Sequence, residues 1–442
     1  TIKLTDVNDN VGVGVASPTS KLHVRSTDTT TVPFQVEDTL NGPSFPLAFQ
    51  NWQYRKQITI LASMVAGTQN NFPVLIYRAS DSNLMPPNVQ TNGNDILFTS
   101  SDGTAQLPHE IEKYDSSNGM LCAWVNVPTM SSASDTILYM YYGNPSATNQ
   151  QNVAGTWDGN YKGVWHQSET TGTAYDSTIN NNDGTPNGGI IRGATGKIGN
   201  ADDFGGGDGC FNTALNPSAE LGQEVTIEAW IYPHAQNNYR GVAGDHGGTN
   251  QGLIFFQWES GSGWNLGFGD GTNFYGGGVG NFTLNTWIHL VGKVKGINYV
   301  KAYVNASVIL NNTSITTNIS HMPTFYIGRA FNAAGRYFDG LIDEVRVSDI
   351  IRSDDYITTS YRNQSVIPGD ITFTGQEVNG NIARTLLYIQ PNTGNVGIGT
   401  ASPTSKLQVS GLPEYADNTT AIAGGLSVGA FYRTGDVLKV VH

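Results

Sequence analysis

The chain has 442 residues, enough for two to four domains, with 53 glycines, two cysteines and only 13% charged residues. A formal net charge of −13 argues against a nucleic-acid surface or attraction to anionic membranes, and is compatible with bound cations. No run of about 18 apolar residues occurs, so no membrane-spanning helix is expected. The first residue is Thr1 and no signal peptide is visible, so processing from a longer product is an open expectation.

Residues 10–24 read NVGVGVASPTSKLHV, and residues 395–409 read NVGIGTASPTSKLQV. Twelve of the fifteen positions are identical across the 385-residue offset. Such an internal repeat frames everything between its copies. Val11, Val13 and Val15 alternate with Gly12, Gly14 and Ala16, a period of two that predicts a strand with one bare face. The Ser-Pro turn follows, and Leu22 and Val24 mark a second short strand. Too small to bury a core alone, each copy is expected to pair elsewhere in the chain or in a neighbouring subunit. Gly12, Gly14, Gly397 and Gly399 are the candidate assembly residues, acting through close backbone approach. The plainer alternative is two similar hairpins packed on unrelated domains.

Short strands are also expected at 32–36 and 45–49. From Trp52 the texture becomes aromatic and β-branched. Strands are predicted at 52–60, 72–78, 94–103, 107–115, 120–128 and 135–144, with Asp-Gly and similar turns between them. This spacing indicates a β-sandwich. Further strands follow at 224–233, 285–294, 300–309, 324–330 and 338–349, with Trp230 and Trp287 as candidate core residues. Asp354 to Ile357 should form a helical turn closing this domain. Strands at 371–375 and 383–390 lead to the second repeat copy. Asp417 or Asn418 can cap a short helix through Ala423, stopped by Gly424-Gly425. A last hairpin is expected to turn at 434–436. Cys122 and Cys210 fall in different predicted domains and read as two buried thiols rather than a disulfide.

Three resemblances attach to these stretches. The repeat resembles the NVGIGT-SPxxKLxV segment of bacteriophage tail fibres and related adhesins, which implies a thin, often trimeric stalk. WQYRKQITI, NDILFTSSDG, LPHEIEKYD and DTILYMYYGN resemble an uncharacterised domain of bacterial and phage surface proteins. GKIGNADDFGGGDG, EVTIEAWIYP and FDGLIDEVRVSD are similar to strands of the laminin-G-like, concanavalin-A-like jelly roll. The fold class expected is all-β: two consecutive β-sandwich or jelly-roll domains flanked by fibrous β stalk segments. The expected boundaries are 1–50 for the N-terminal fibre segment, 51–160 for the first sandwich and 161–364 for the jelly roll. A stalk segment (365–411) and a C-terminal helix-hairpin connector or tip (412–442) complete the chain.

No catalytic constellation stands out. The Glu-x-Asp-x-x-Glu spacing of jelly-roll glucanases is absent, since Glu344 directly follows Asp343 with no second Glu nearby. His109, His166, His234 and His289 read as framework or surface residues, and the chain is expected not to be an enzyme. The laminin-G resemblance implies calcium at a sheet rim. Its candidate ligands are Asp208, Asp339 and Asp343, with Asp202 and Asp203 beside them. The family's Phe-Asp-Gly is here Phe204-Gly205-Gly206, which removes a customary carboxylate. Turn capping is the equally weighted alternative for these aspartates. A sugar site is expected in a loop region, 236–282, from Tyr239, Trp258, Trp264, Asp270, Asn273 and Tyr275, with Asp245 and His246 in the same region and one tryptophan in the core, the other exposed.

The leading functional expectation is a non-enzymatic virion fibre protein that attaches to host cell-surface glycans. Rival readings are a structural filament or capsid-decoration subunit without ligand, and a polysaccharide-degrading spike. Expected partners are the chain itself, as a homotrimer on closed symmetry, other virion or surface proteins, and a host glycan. No nucleic acid and no membrane insertion are expected, and the location is the virion surface or extracellular space.

Overall fold

The computed structural model describes residues 45–237, 239–247, 250–260, 263–332, 335–366 and 369–379. Outside these runs it describes 11–13, 22–24, 35–39, 383–389, 396–398, 407–409, 414–424, 426, 431–434 and 437–440. The chain is all-β in architecture and divides into two compact units, residues 51–377 and residues 1–50 with 378–442.

In the smaller unit, both repeat copies form the same object. Val11–Val13 pairs with Leu22–Val24, and Val396–Ile398 pairs with Leu407–Val409, both in parallel. The registers match: Gly12 faces His23 as Gly397 faces Gln408. A hairpin would be antiparallel, so the hairpin alternative is excluded for both copies. Gly14 and Gly399 lie outside the described residues. The second copy joins a four-stranded sheet ordered 35–39, 383–389, 396–398, 407–409. A helix at Asn418–Ala423, capped by Asp417, and an antiparallel pair of Phe431–Thr434 with Val437–Val440 match the sequence reading of the tail. The strand expected at 45–49 is instead a 3-10 turn at Leu47–Phe49, with Pro46 at its start.

The larger unit begins with a sandwich. Tyr54–Ile60 pairs with Thr136–Tyr142, whereas Gln69–Arg78 and His109–Asp115 flank Met120–Met130 in the facing sheet. Ile58, Ile60, Val74, Ile76, Phe98, Val125 and Leu138 close its core. Lys56 interrupts the apolar face of its strand yet is buried, because its ammonium meets Asp81 at 2.5 Å. One boundary needs correcting. Ile371–Phe373 pairs with Tyr54–Ile60, so residues up to Glu377 belong to this sandwich and not to a stalk. The first sandwich is therefore discontinuous in sequence.

The jelly roll has an eight-stranded and a seven-stranded sheet. Between them lie Trp165, Ile227, Phe255, Trp264, Phe268 and Val345. Val225, Ile227, Ala229 and Ile231 of Glu224–Pro233 face this core. Trp230 therefore points the other way, where its indole donates to Gln364 at 2.7 Å and is covered by the helix Asp354–Ser365. Its burial was anticipated; its place outside the inter-sheet core was not. Trp287 is only half-buried, against Tyr232. Cys122 and Cys210 are buried free thiols.

Strand Gly340–Ser348 carries a bulge. Its register against Glu224–Pro233 shifts between Glu228 and Trp230, and Glu344 has φ of 54°. The extra residue lets Asp343, Glu344 and Arg346 share the face turned to the first sandwich. Arg346 there donates to Glu344 at 2.5 Å and Glu228 at 3.1 Å, and its guanidinium lies 4.2 Å from the Trp124 ring centre. Burial alone would depress the His166 imidazole, but Glu344 at 2.7 Å and Glu110 at 3.2 Å outweigh it and hold its pKa well above the usual value. Burial and then repulsion from Glu344 push the Glu112 carboxyl up, and the same two causes raise Asp343.

Two predictions follow from these contacts. Arg346→Met leaves Glu228 and Glu344 buried and underpaired, and should cost about 3–5 kcal/mol in urea denaturation of the full chain. His109 is fully buried against Phe98, and burial pushes its imidazole down to about 4. The folded state excludes a proton that the unfolded state binds. Its contribution is thus present above pH ~6.5 and lost as pH falls toward 4, amounting to about 3 kcal/mol there. The stability difference between wild type and His109→Phe should be flat above pH 6.5 and change steadily below it.

Candidate functional site

The region 236–282 is not a loop. It forms three strands of the seven-stranded sheet, Gln251–Glu259, Gly263–Asp270 and Phe274–Gly280. Phe256 has φ of 51°, and the pairing register shifts between Ile254 and Gln257. That bulge turns both Phe255 and Phe256 into the core and sends Ile254, Gln257 and Glu259 to the outer face. These three line a groove of about 310 Å³, the low end of ligand-pocket sizes.

Three aromatic rings wall the groove: Tyr239, Phe274 and Phe331. Tyr239 is 42% exposed and Phe274 39%. Arg336 lies over Tyr239 and Phe331, its guanidinium carbon 4.5 and 4.0 Å from the ring centres. Gly267 makes room for Phe274, whose ring carbon would stand 2.6 Å from any added Cβ. Asn250 forms the end of the groove, and its carbonyl crosses over Gly269.

The floor holds polar atoms that the protein leaves unsatisfied. His246 is buried beside Phe331, and burial lowers its pKa to about 4, so the ring is neutral at pH 7. Its Nδ1 has no hydrogen-bond partner, nor has Oε1 of the buried Gln257. An unmatched buried polar atom costs about 1–3 kcal/mol, and a ligand hydroxyl would reach these two only after side-chain movement. The arrangement offers apolar faces for a ring, one neutral imidazole, one amide, Glu259 and a stacked guanidinium.

Of the residues the sequence singles out for a sugar site, Tyr239 and His246 line this groove. Trp264 is 1% exposed and stacks on Phe282 in the core. Trp258 is half-buried at the core's edge, its indole donating to Asn281 at 3.0 Å, so neither tryptophan is the exposed one expected. Tyr275 stacks on Phe268 on the core side; its neighbour Phe274 faces out. Asp270 caps a turn through the backbone N–H groups of Thr272 and Asn273, which fixes both Asp270 and Asn273 at a hairpin tip. The missed residues were Asn250, Ile254, Gln257, Glu259, Phe274, Phe331 and Arg336. The alternation in FYGGGVG could have separated Phe274 from Tyr275; the Phe256 bulge has no such signal.

The proposed calcium ligands do not converge. Asp208 accepts from the Gly189 backbone at 2.8 Å, Asp339 pairs with Arg240 at 3.3 Å, and Asp343 is buried and accepts from Ile198 at 2.9 Å. Asp202 is likewise engaged by Arg192 at 2.6 Å. Among the described residues these aspartates form no converging group of three ligand side chains; Asp203 and Asp339 both lie near His234, at 3.8 and 3.9 Å.

Family comparison matches two segments. Residues 205–358 match the concanavalin A-like lectin/glucanases superfamily, and residues 92–180 match a domain of unknown function, DUF2341. A search of curated proteins found no match. Among solved structures, domain 4 of AbnA, a GH43 extracellular arabinanase from Geobacillus stearothermophilus in complex with arabinotriose, is 20% identical. The alignment covers 46% of this chain and 98% of that one, with a TM-score of 0.39. The binding domain of Paraclostridial Mosquitocidal Protein 1 is 14% identical over 46% of this chain and 52% of its own length, with a TM-score of 0.37. Trypanosoma rangeli sialidase is 12% identical over 54% and 42%, with a TM-score of 0.38.

Proposed function

We propose that this chain is a non-enzymatic adhesin of fibre type, and that the groove on the outer face of the seven-stranded sheet holds a host-surface glycan. The observation that carries this reading is the groove itself, where exposed Tyr239 and Phe274 stand beside Phe331 and Arg336 with Gln257 and Glu259 on the same outer face. Aromatic faces stack on the apolar faces of sugar rings, while fixed amide and imidazole groups select hydroxyls. The match of residues 205–358 to a superfamily that includes lectins agrees with it. In this reading the repeats at both ends serve assembly on a virion or cell surface, as a homotrimer. That role rests on the resemblance of the repeats; in each copy the two strands pair with each other within the chain.

Glycan-array binding followed by calorimetry tests the site. Tyr239→Ala and Phe274→Ala should each weaken binding by more than about 1 kcal/mol, with melting temperature unchanged. Trp264→Phe, in the core, should leave affinity alone and lower stability. Binding indifferent to Tyr239 and Phe274 would place the ligand elsewhere, and steady release of reducing ends would mean an enzyme. Native mass spectrometry of the full chain should give three copies; a stable monomer counts against the assembly reading.

A further inference from the structure

The face between the two sandwiches holds more carboxylate than its cations can serve. Glu110 and Glu112 come from strand His109–Asp115, and Asp343 and Glu344 come from the bulged strand of the jelly roll. Against these stand His166 and Arg346, and Arg346 also serves Glu228. The Glu112 and Asp343 side chains are fully buried. Glu112 Oε1 and Asp343 Oδ1 have no hydrogen-bond partner.

Among the described residues, one group of three metal-type side chains converges: Glu112, His166 and Glu344, with ligand atoms all within 4.8 Å of one another. His166 Nδ1 is 2.7 Å from Glu344 Oε1 and 3.7 Å from Glu112 Oε2. Tetrahedral bonds of 2.0–2.1 Å require ligand atoms about 3.3 Å apart, so small side-chain shifts suffice. The other imidazole nitrogen, Nε2, faces Glu110 at 3.2 Å. That carboxylate in turn accepts from Trp157 at 2.9 Å and Ser177 at 2.6 Å. A carboxylate behind the second nitrogen is the usual support of a metal-binding histidine, since it fixes the ring and its tautomer. Cys122, whose thiol lies 3.4 Å from Glu112 Oε2, supplies a further donor at the edge of the cluster.

We propose that Glu112, His166 and Glu344 bind a divalent transition cation of the Zn2+ type, which bridges the first sandwich to the jelly roll. The cation replaces the proton on His166 Nδ1, and Nε2 keeps its hydrogen bond to Glu110. Two positive charges then stand where buried carboxylates now outnumber cations. The imidazole selects against Ca2+, which takes oxygen ligands, and favours Zn2+. This site is separate from the rim aspartates and from the outer-face groove.

The test uses the full chain, stripped with EDTA and titrated with ZnCl2. One Zn2+ per chain should remain after gel filtration, and melting temperature should rise with Zn2+ and not with Ca2+. Glu112→Gln and His166→Gln should lose the ion. Glu110→Gln should weaken binding about 10–100-fold, and Asp208→Asn should bind as wild type. Should the buried variants fail to fold, Co2+ added to the stripped wild-type chain decides. A visible tetrahedral absorption band at one equivalent supports the site. Absence of both a stoichiometric ion and a Co2+ band in the wild type overturns it, as does wild-type affinity in folded Glu112→Gln and His166→Gln.

Discussion

The larger unit depends on one buried cation. Arg346 is 2% exposed, gripped by Glu228 and Glu344, and roofed by the indoles of Trp124 and Trp157. Removing a guanidinium and two carboxylates from water is expensive, and their attraction offsets this only with good geometry and full hydrogen bonding. The glutamates come from the jelly roll and the indoles from the first sandwich and its following turn. Neither domain could hold this arginine in a dry site alone. The two sandwiches therefore share an interior, closed by Arg352, which pairs with Asp158 through contacts of 2.6 and 3.0 Å.

That interior exists because of a backbone irregularity. In a regular strand Asp343 and Glu344 would point to opposite faces, and one would enter the apolar core beside Val345. The left-handed residue at Glu344 keeps both out of it. A similar device shapes the opposite end of the jelly roll. There Phe256 adopts φ of 51°, so two consecutive phenylalanines enter the core and the polar Gln257 and Glu259 come out onto the groove. Two bulges, one in each sheet, thus set where polar side chains gather.

This explains what was legible in the sequence. Strand positions followed from period-two apolar patterns and turn residues, and nearly every predicted segment overlaps an observed strand. EVTIEAWIYP announced its core face through Val225, Ile227, Ala229 and Ile231. What its other face meets was hidden, since Glu228 and Trp230 look like ordinary outward residues until Arg346 and the helix Asp354–Ser365 arrive from more than a hundred positions away. The groove failed for a related reason. Tryptophans are the obvious sugar-stacking candidates, but Trp258 and Trp264 fall in core phase, and only Tyr239 and His246 reach the groove. A one-residue error in phase moves a whole side-chain set across a sheet. His166 read as framework because its carboxylate neighbours lie far off in sequence.

The linear picture of successive beads was also incomplete, and the reason is topological. In the smaller unit, strand 35–39 pairs with strand 383–389, more than three hundred residues later. In the larger unit, Tyr54–Ile60 pairs with Ile371–Phe373, and Arg55 meets Glu377 at 2.7 Å. The jelly roll lies between the two parts of the first sandwich, as that sandwich lies between the two parts of the smaller unit. Each segment is an insertion whose ends leave on paired strands, the arrangement under which inserted domains are tolerated. Pairings of such separation carry a large loop-closure cost while the intervening chain is unfolded, and a much smaller one once the inserted domain has brought its ends together. Folding should thus run outward from the jelly roll to the first sandwich and then to the repeats.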